Sequence, residues 1–223
     1  MELVEYPDRE MMMLTLADRM AGELNSCLMR HEHASFAVPG GSTPGPMFDS
    51  LSDTKLDWSR VHVLLTDERW VPPDHGRSNT RLLRERLLTN RAADAVYVPL
   101  WAEADAPDDV IDALSAAIEP ELPLSILLLG MGEDGHIASL FPGADRLDDA
   151  LSSKAPPLMA MRGGGAPEPR ITLTAPVLRG AMSTHIVITG AAKRETLDAA
   201  RRARPEDLPV ALVLRDATVH WAE

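Results

Sequence analysis

The segment Leu124-Ser125-Ile126-Leu127-Leu128-Leu129-Gly130-Met131-Gly132-Glu133-Asp134-Gly135-His136-Ile137-Ala138-Ser139-Leu140-Phe141-Pro142 runs from an apolar stretch into a glycine-rich loop. The apolar part, Leu124 to Leu129, is too short for a helix of ordinary length and suits a strand buried on both faces. Gly130, Gly132 and Gly135 let the backbone fold tightly behind it. That turn would present Asp134 and His136 at the edge of a sheet.

Working outward, helix-like and strand-like stretches alternate. Met12, Leu16, Met20, Leu24 and Leu28 fall at helical spacing, which predicts an amphipathic helix over Asp8 to Arg30. Further helices are expected at Ser78 to Leu88, Asp108 to Ile118 and Ala191 to Arg201. Strands are expected at Ala34 to Val38, Val61 to Leu65, Leu158 to Met161, Arg170 to Leu173, His185 to Thr189 and Ala211 to Leu214. The alternation implies an α/β fold, with a mostly parallel sheet and helices on both faces. No internal repeat or linker divides the chain, so residues 1–223 read as a single domain. Arg162 to Pro169, with three consecutive glycines and two prolines, reads as a mobile loop.

Composition narrows the function classes. Hydrophobic residues make up 45% and charged residues 25% of the 223, enough for a core without disulfides or metals. The single cysteine, Cys27, has no intrachain partner, which fits a reducing compartment. The acidic, proline-interrupted start does not resemble a signal peptide, and no apolar run approaches membrane-span length. A cytoplasmic chain with no membrane partner is expected. A formal charge of −12 argues against a nucleic-acid partner, which needs a basic face. Local cations can still attract an anion, because distant charges are screened beyond roughly 8 Å at physiological salt.

In an open parallel sheet, ligands sit at the carboxyl ends of the strands. Three motifs fall there. Gly40-Gly41-Ser42-Thr43-Pro44 follows the first of these strands, with a helix expected from Thr43 onward. Glycines allow close backbone approach to an anion, hydroxyls add donors, and a helix N-terminus adds free N–H groups. A plain strand-to-helix turn would look similar. Thr66-Asp67-Glu68-Arg69-Trp70-Val71-Pro72 follows the second strand. A charge run is ordinarily a solvated loop, but Trp70 and Pro72 would hold this one in place. The third motif is the loop bearing Asp134 and His136. On the C-terminal side, Arg170 opens a strand and Lys193 lies at the start of a helix. With Gly41, Ser42 and Thr43 they would form a two-cation clamp for a phosphate monoester.

Taken together and in order, these segments resemble the 6-phosphogluconolactonase family. The likeness is carried by Gly40 to Pro44, Thr66 to Pro72 with Ser78-Asn79, Gly130 to Pro142, and Arg170-Ile171-Thr172-Leu173-Thr174. It covers most of the chain, from Ala34 to Lys193. The resemblance implies hydrolysis of 6-phosphoglucono-1,5-lactone to 6-phosphogluconate, the second step of the oxidative pentose phosphate pathway. It also implies a Rossmann-like fold shared with glucosamine-6-phosphate deaminase. That deaminase carries a similar Asp-Gly-His unit but adds a glutamate a few residues on, where Phe141 stands here. A non-catalytic sugar-phosphate sensor is the other alternative. It would require a DNA-binding module, and no basic helix-turn-helix segment precedes Ala34. Ile137, where the family often has threonine, and the run Gly163-Gly164-Gly165 are departures from the pattern.

Lactone hydrolysis needs a base for the attacking water and stabilisation of the developing oxyanion. His136 is the expected base, since a free imidazole titrates near about 6.5. Asp134 would orient it, and Arg69, positioned by Asp67, would face the reacting carbonyl. No serine sits in a nucleophile elbow, so water is the expected nucleophile. No cofactor is expected. The seven histidines are scattered along the sequence, and no metal site is expected from their spacing. Whether the chain is a monomer or a homodimer is left open by the sequence.

Overall fold

The runs of leucine, valine and isoleucine form strands whose consecutive apolar side chains are buried, which requires a sheet covered on both faces. A computed structural model describes all residues except Gly164 and Ala166. In chain order the elements begin with β1 (Glu2–Glu5), α1 (Arg9–Leu28), β2 (Ala34–Val38), α2 (Gly45–Ser52), β3 (Val61–Leu65), β4 (Asp67–Arg69) and α3 (Asn79–Arg86). There follow β5 (Val96–Val98), α4 (Ile111–Ile118), β6 (Ile126–Gly130), α5 (Leu147–Leu151), β7 (Leu158–Met161) and β8 (Arg170–Leu173). The last are α6 (Ala175–Gly180), β9 (Ser183–Thr189), α7 (Ala191–Ala200) and β10 (Thr218–Ala222).

Seven strands form one parallel sheet in the order β1-β10-β9-β6-β2-β3-β5. All five residues of β2 are buried, so side chains pointing to either side of the sheet meet cover. The long helix α1 supplies part of it through Met12, Leu16, Met20 and Leu24, each with no exposed surface. Asp8 starts that helix by accepting the Met11 amide at 2.7 Å, satisfying one of its free N–H groups. No helix among the described residues is long and apolar enough to cross a membrane.

The strand order explains where a ligand would sit. From β2 the chain moves outward to β3 and β5, whereas from β6 it moves the other way to β9 and β10. Strands β2 and β6 are neighbours, so their following loops diverge and leave a crevice at the switch point. Those loops are Gly40 to Pro44 and Gly130 to Pro142.

A second, antiparallel sheet of order β4-β8-β7 lies at the carboxyl end of β3. Thr66 couples the two sheets: its amide donates to Val38 O, and its carbonyl accepts the Leu173 amide, both at 2.9 Å. The charge run Asp67–Arg69 is therefore the strand β4 rather than a loop. Two short edge strands, β1 and β5, were not expected. The expected strand Ala211 to Leu214 is instead wound into 3-10 turns at Pro209–Leu212 and Leu214–Asp216. Pro209 has no N–H to give a sheet ladder, and the true last strand is β10, pairing with β1 and β9. The expected loop Arg162 to Pro169 includes Gly164 and Ala166, so that expectation lies partly outside the described residues.

Candidate active site

The crevice at the switch point holds a cavity of about 220 Å³. Its walls include Gly41, Thr43, Asp67, Arg69, His136, Arg170 and Lys193, drawn from five separate stretches of the chain. Asp134 does not line it but holds the imidazole that does. Ser42 is turned away into two adjacent grooves.

The His136 loop is a closed turn. The Gly132 amide donates to His136 O at 2.9 Å, and the Gly135 amide to Gly132 O at 3.1 Å. Within the turn, Asp134 Oδ1 lies 2.6 Å from His136 Nδ1 and accepts the His136 amide at 3.2 Å. A carboxylate on Nδ1 fixes the proton there and makes Nε2 the basic nitrogen. A Cβ on residue 132 would run into His136 Nδ1 and Asp134 Oδ1, so glycine is required for this packing. Ala138, also on the cavity wall, has φ 49°, a left-handed conformation that a non-glycine residue adopts at a cost.

Phe141 packs its ring 4.5 Å from that of His136, and the Arg170 guanidinium lies 5.5 Å over the same phenyl ring. One aromatic side chain thus separates imidazole and guanidinium and keeps both in place. Register contributes as well. Strand β4 pairs with β8 so that Arg69 stands opposite Arg170 and Asp67 opposite Thr172. Two cations on one wall of the cavity are a consequence of that pairing.

Two carboxylates hold these charges, and of them only Asp67 was assigned from the sequence. Glu168 Oε1 lies 2.9 Å from Arg77 Nη2, and 3.9 Å from both Arg69 Nε and Arg170 Nη2. Asp67, expected to position Arg69, pairs instead with Arg170 at 3.7 Å. It also accepts the Ser139 hydroxyl at 2.6 Å. Arg69 is held by the carbonyl of Arg77 at 2.7 Å. Burial pushes the Arg170 guanidinium below its ordinary pKa, and Asp67 opposes that shift. The Nε atoms of Arg69 and Arg170 are buried without an acceptor among the described residues. Leaving such a donor unpaired costs about 1–3 kcal/mol.

Glu68 is the organising carboxylate. It is fully buried and accepts the amides of Arg69, Asn79 and Thr80 at 2.7, 2.8 and 2.7 Å. The hydroxyls of Ser78 and Thr80 reach it at 3.1 and 2.7 Å. Three of these donors come from the start of α3, so Glu68 fixes that helix against β4. Asn79, seated there, donates to Asp67 O at 2.9 Å and lines the cavity. Gly40 has no Cβ because Asn79 fills that space. The signal in the sequence was the pairing of Asp67-Glu68-Arg69 with Ser78-Asn79, whose spacing alone gives no contact.

Fold and site together define an α/β protein of Rossmann-like type. At its sheet's switch point lies a cationic, glycine-lined cavity with a carboxylate-backed imidazole. Residues 7–221 match the family described as glucosamine-6-phosphate isomerases/6-phosphogluconolactonase, and the chain belongs to that enzyme family. The motif-based resemblance is thereby borne out. The chain is 41% identical over 215 residues to a 6-phosphogluconolactonase of Rhizobium meliloti, covering 93% of this chain and 92% of that one. A crystal structure of a 6-phosphogluconolactonase from Shewanella baltica superposes with a TM-score of 0.95 at 31% identity, covering 100% and 97% of the two chains. A monomeric glucosamine-6-phosphate deaminase shares the fold, with a TM-score of 0.83 at 17% identity over 100% of this chain and 98% of that one.

Proposed function

We propose that this chain, acting as one domain in the cytoplasm, hydrolyses 6-phospho-D-glucono-1,5-lactone to 6-phospho-D-gluconate, the second step of the oxidative pentose phosphate pathway. The observation that carries the reading is the placement of His136, backed by Asp134, in the same cavity as Arg69, Arg170 and Lys193. Membership in the lactonase-containing family supplies the substrate class.

In this mechanism Nε2 of His136 removes a proton from water as the water oxygen bonds to C1. Asp134 stabilises the imidazolium that results. The carbonyl electrons move onto oxygen, where Arg69 faces the developing charge. Collapse of the tetrahedral centre breaks the C1–O5 bond. O5 then takes the proton back from His136, and the product carboxylic acid ionises. Nucleophile and leaving group balance without a covalent enzyme intermediate. The phosphate is held remotely by Arg170 and Lys193, with Gly41 and Thr43 closing around it and Ser42 at the margin. Bound between the two arginines, an anion would compensate for their unpaired donors.

Phe141 favours the lactonase over the deaminase. It stands where the deaminase needs a titrating glutamate, and a phenyl ring cannot exchange protons. The test generates the lactone with glucose-6-phosphate dehydrogenase and follows acid release against the spontaneous rate. Acceleration is expected, with no ammonia released from glucosamine 6-phosphate. Ammonia release would establish the deaminase, and tight binding without acceleration a sensor.

A further inference from the structure

At the opposite end of the sheet, three side chains that are distant in sequence converge. His33 immediately precedes β2, His62 is the second residue of β3, and Glu121 ends the 3-10 turn Glu119–Glu121 before β6. A five-residue strand spans roughly 15 Å, so this cluster and the catalytic cavity are separate. Glu121 is only 7% exposed, yet its carboxylate faces two imidazoles: His62 Nδ1 at 2.9 and 3.0 Å from its two oxygens, and His33 Nε2 at 3.4 Å. One ligating atom from each residue lies within 4.8 Å of the others. The imidazole rings stack at 4.3 Å with planes 15° apart, so both present a nitrogen to the same carboxylate.

The surrounding backbone is fixed. Arg60 donates to the carbonyls of Leu28, His31 and Glu32 at 2.9, 2.8 and 2.7 Å, locking the turn that leads to His33. The buried hydroxyl of Ser35 donates to Glu121 O at 2.8 Å and accepts the Ser125 amide at 3.0 Å. Two hydrogen bonds between histidines and a glutamate would by themselves be a structural tie. The geometry asks for more than that. A tetrahedral ion with bonds of about 2.1 Å has ligands about 3.4 Å apart, so the two separations from Glu121 to the imidazoles need only sub-ångström adjustment, and the two imidazole nitrogens, within 4.8 Å of each other, can close on the same ion. His33 and His62 are partly exposed, which leaves one side open for water as a further ligand.

We propose that His33, His62 and Glu121 bind a divalent transition-metal ion of the zinc class, pinning the amino-terminal ends of β2, β3 and β6 together. Two imidazoles and one carboxylate suit a borderline-soft ion rather than calcium or magnesium, which prefer all-oxygen shells. Bound metal would stabilise the folded chain, because the three ligands meet only when it is folded.

The test is titration of metal-stripped wild-type protein with Zn2+ by calorimetry, with Co2+ as a visible-absorbance probe. One equivalent should bind, and at a hundredfold excess over Kd the Tm should rise by about 5–10 °C. His33→Ala, at a partly exposed position, should weaken binding at least tenfold and abolish the Tm rise while leaving lactonase turnover unchanged. Glu121→Gln provides a second variant with the same expected loss. His136→Ala should bind the ion as wild type does, which separates this site from the catalytic imidazole. Absence of binding to the wild type, or equal binding by the folded His33→Ala and Glu121→Gln variants, would overturn the proposal.

Discussion

The 2.6 Å contact between His136 Nδ1 and Asp134 Oδ1 exists because residue 132 has no side chain. Gly132→Ala would drive a methyl group into the imidazole and the carboxylate at once. The loop is partly exposed, so it can move aside at modest cost in stability. Turnover should fall by roughly 10²-fold or more, approaching the loss of a general base, while the far-UV spectrum is kept. Wild-type kcat in this variant would show that the His136–Asp134 geometry is irrelevant to rate.

Arg170 and Lys193 are expected to act on binding rather than chemistry. Lys193→Ala and Arg170→Lys should raise KM for the phosphorylated lactone about tenfold or more with kcat little changed, the signature of a contact made equally in ground and transition states. Lysine at 170 retains the charge beside Asp67 and Glu168 but loses the planar guanidinium over Phe141. Unchanged KM in both variants would place the phosphate elsewhere in the crevice.

Glu68 should be a stability residue whose loss reaches the site. Glu68→Gln turns an NH2 group toward donors that need an acceptor, in a pocket with no water-exposed surface. The expected loss is about 3 kcal/mol, or roughly 6–12 °C in Tm for a chain of this size. Thermal unfolding followed by circular dichroism measures it. A shift under 2 °C would contradict the hub role.

Much of this layout was legible in the sequence, but unevenly. The runs that became β2, β3 and β6 are mostly apolar, and the loops behind β2 and β6 carry the glycines that their turns and contacts require. Strand β10 was missed because two of its five residues read as polar, Thr218 and His220. In the structure His220 is buried in a hydrogen-bonded chain, with His185 at 3.1 Å and Tyr6 at 2.8 Å. Ala211 to Leu214 was misread because a short apolar run fits a strand and a buried turn equally. The placement of Arg69 opposite Arg170 depends on antiparallel pairing between segments a hundred residues apart, which no local pattern encodes. For the same reason Glu168 and Ser139 looked like loop and motif filler.

The buried chain from Glu23 through His185 and His220 to Tyr6 makes a prediction about acid stability. Burial alone would raise the Glu23 pKa, but hydrogen bonds from His185 and Ser183, with Arg19 beside it, hold the carboxyl down at about 2. Burial, the neighbouring His185 and Arg19 push His220 down to about 3. Both groups take up protons more readily in the unfolded chain than in the folded one. Their contribution is therefore complete above about pH 6.5 and is lost as pH falls, first through His220 and, below about 4.5, through Glu23 as well. Urea unfolding at pH 7, 6, 5 and 4 should show a progressive loss, up to about 1.4 kcal/mol per pH unit for the buried His220 and less for the partly exposed Glu23, whose pairing solvent screens. His220→Gln should flatten the part between pH 6.5 and 4.5. A wild-type curve that is level across that interval would contradict the assignment.

The most direct measurement is single-turnover hydrolysis of freshly generated 6-phosphogluconolactone by purified His136→Ala, corrected for the uncatalysed rate. A 10²–10⁴-fold drop in the catalysed rate, with substrate binding and thermal stability near wild type, is the expected result. Turnover within a few-fold of wild type would mean that another group activates the water, and the proposed mechanism would not stand.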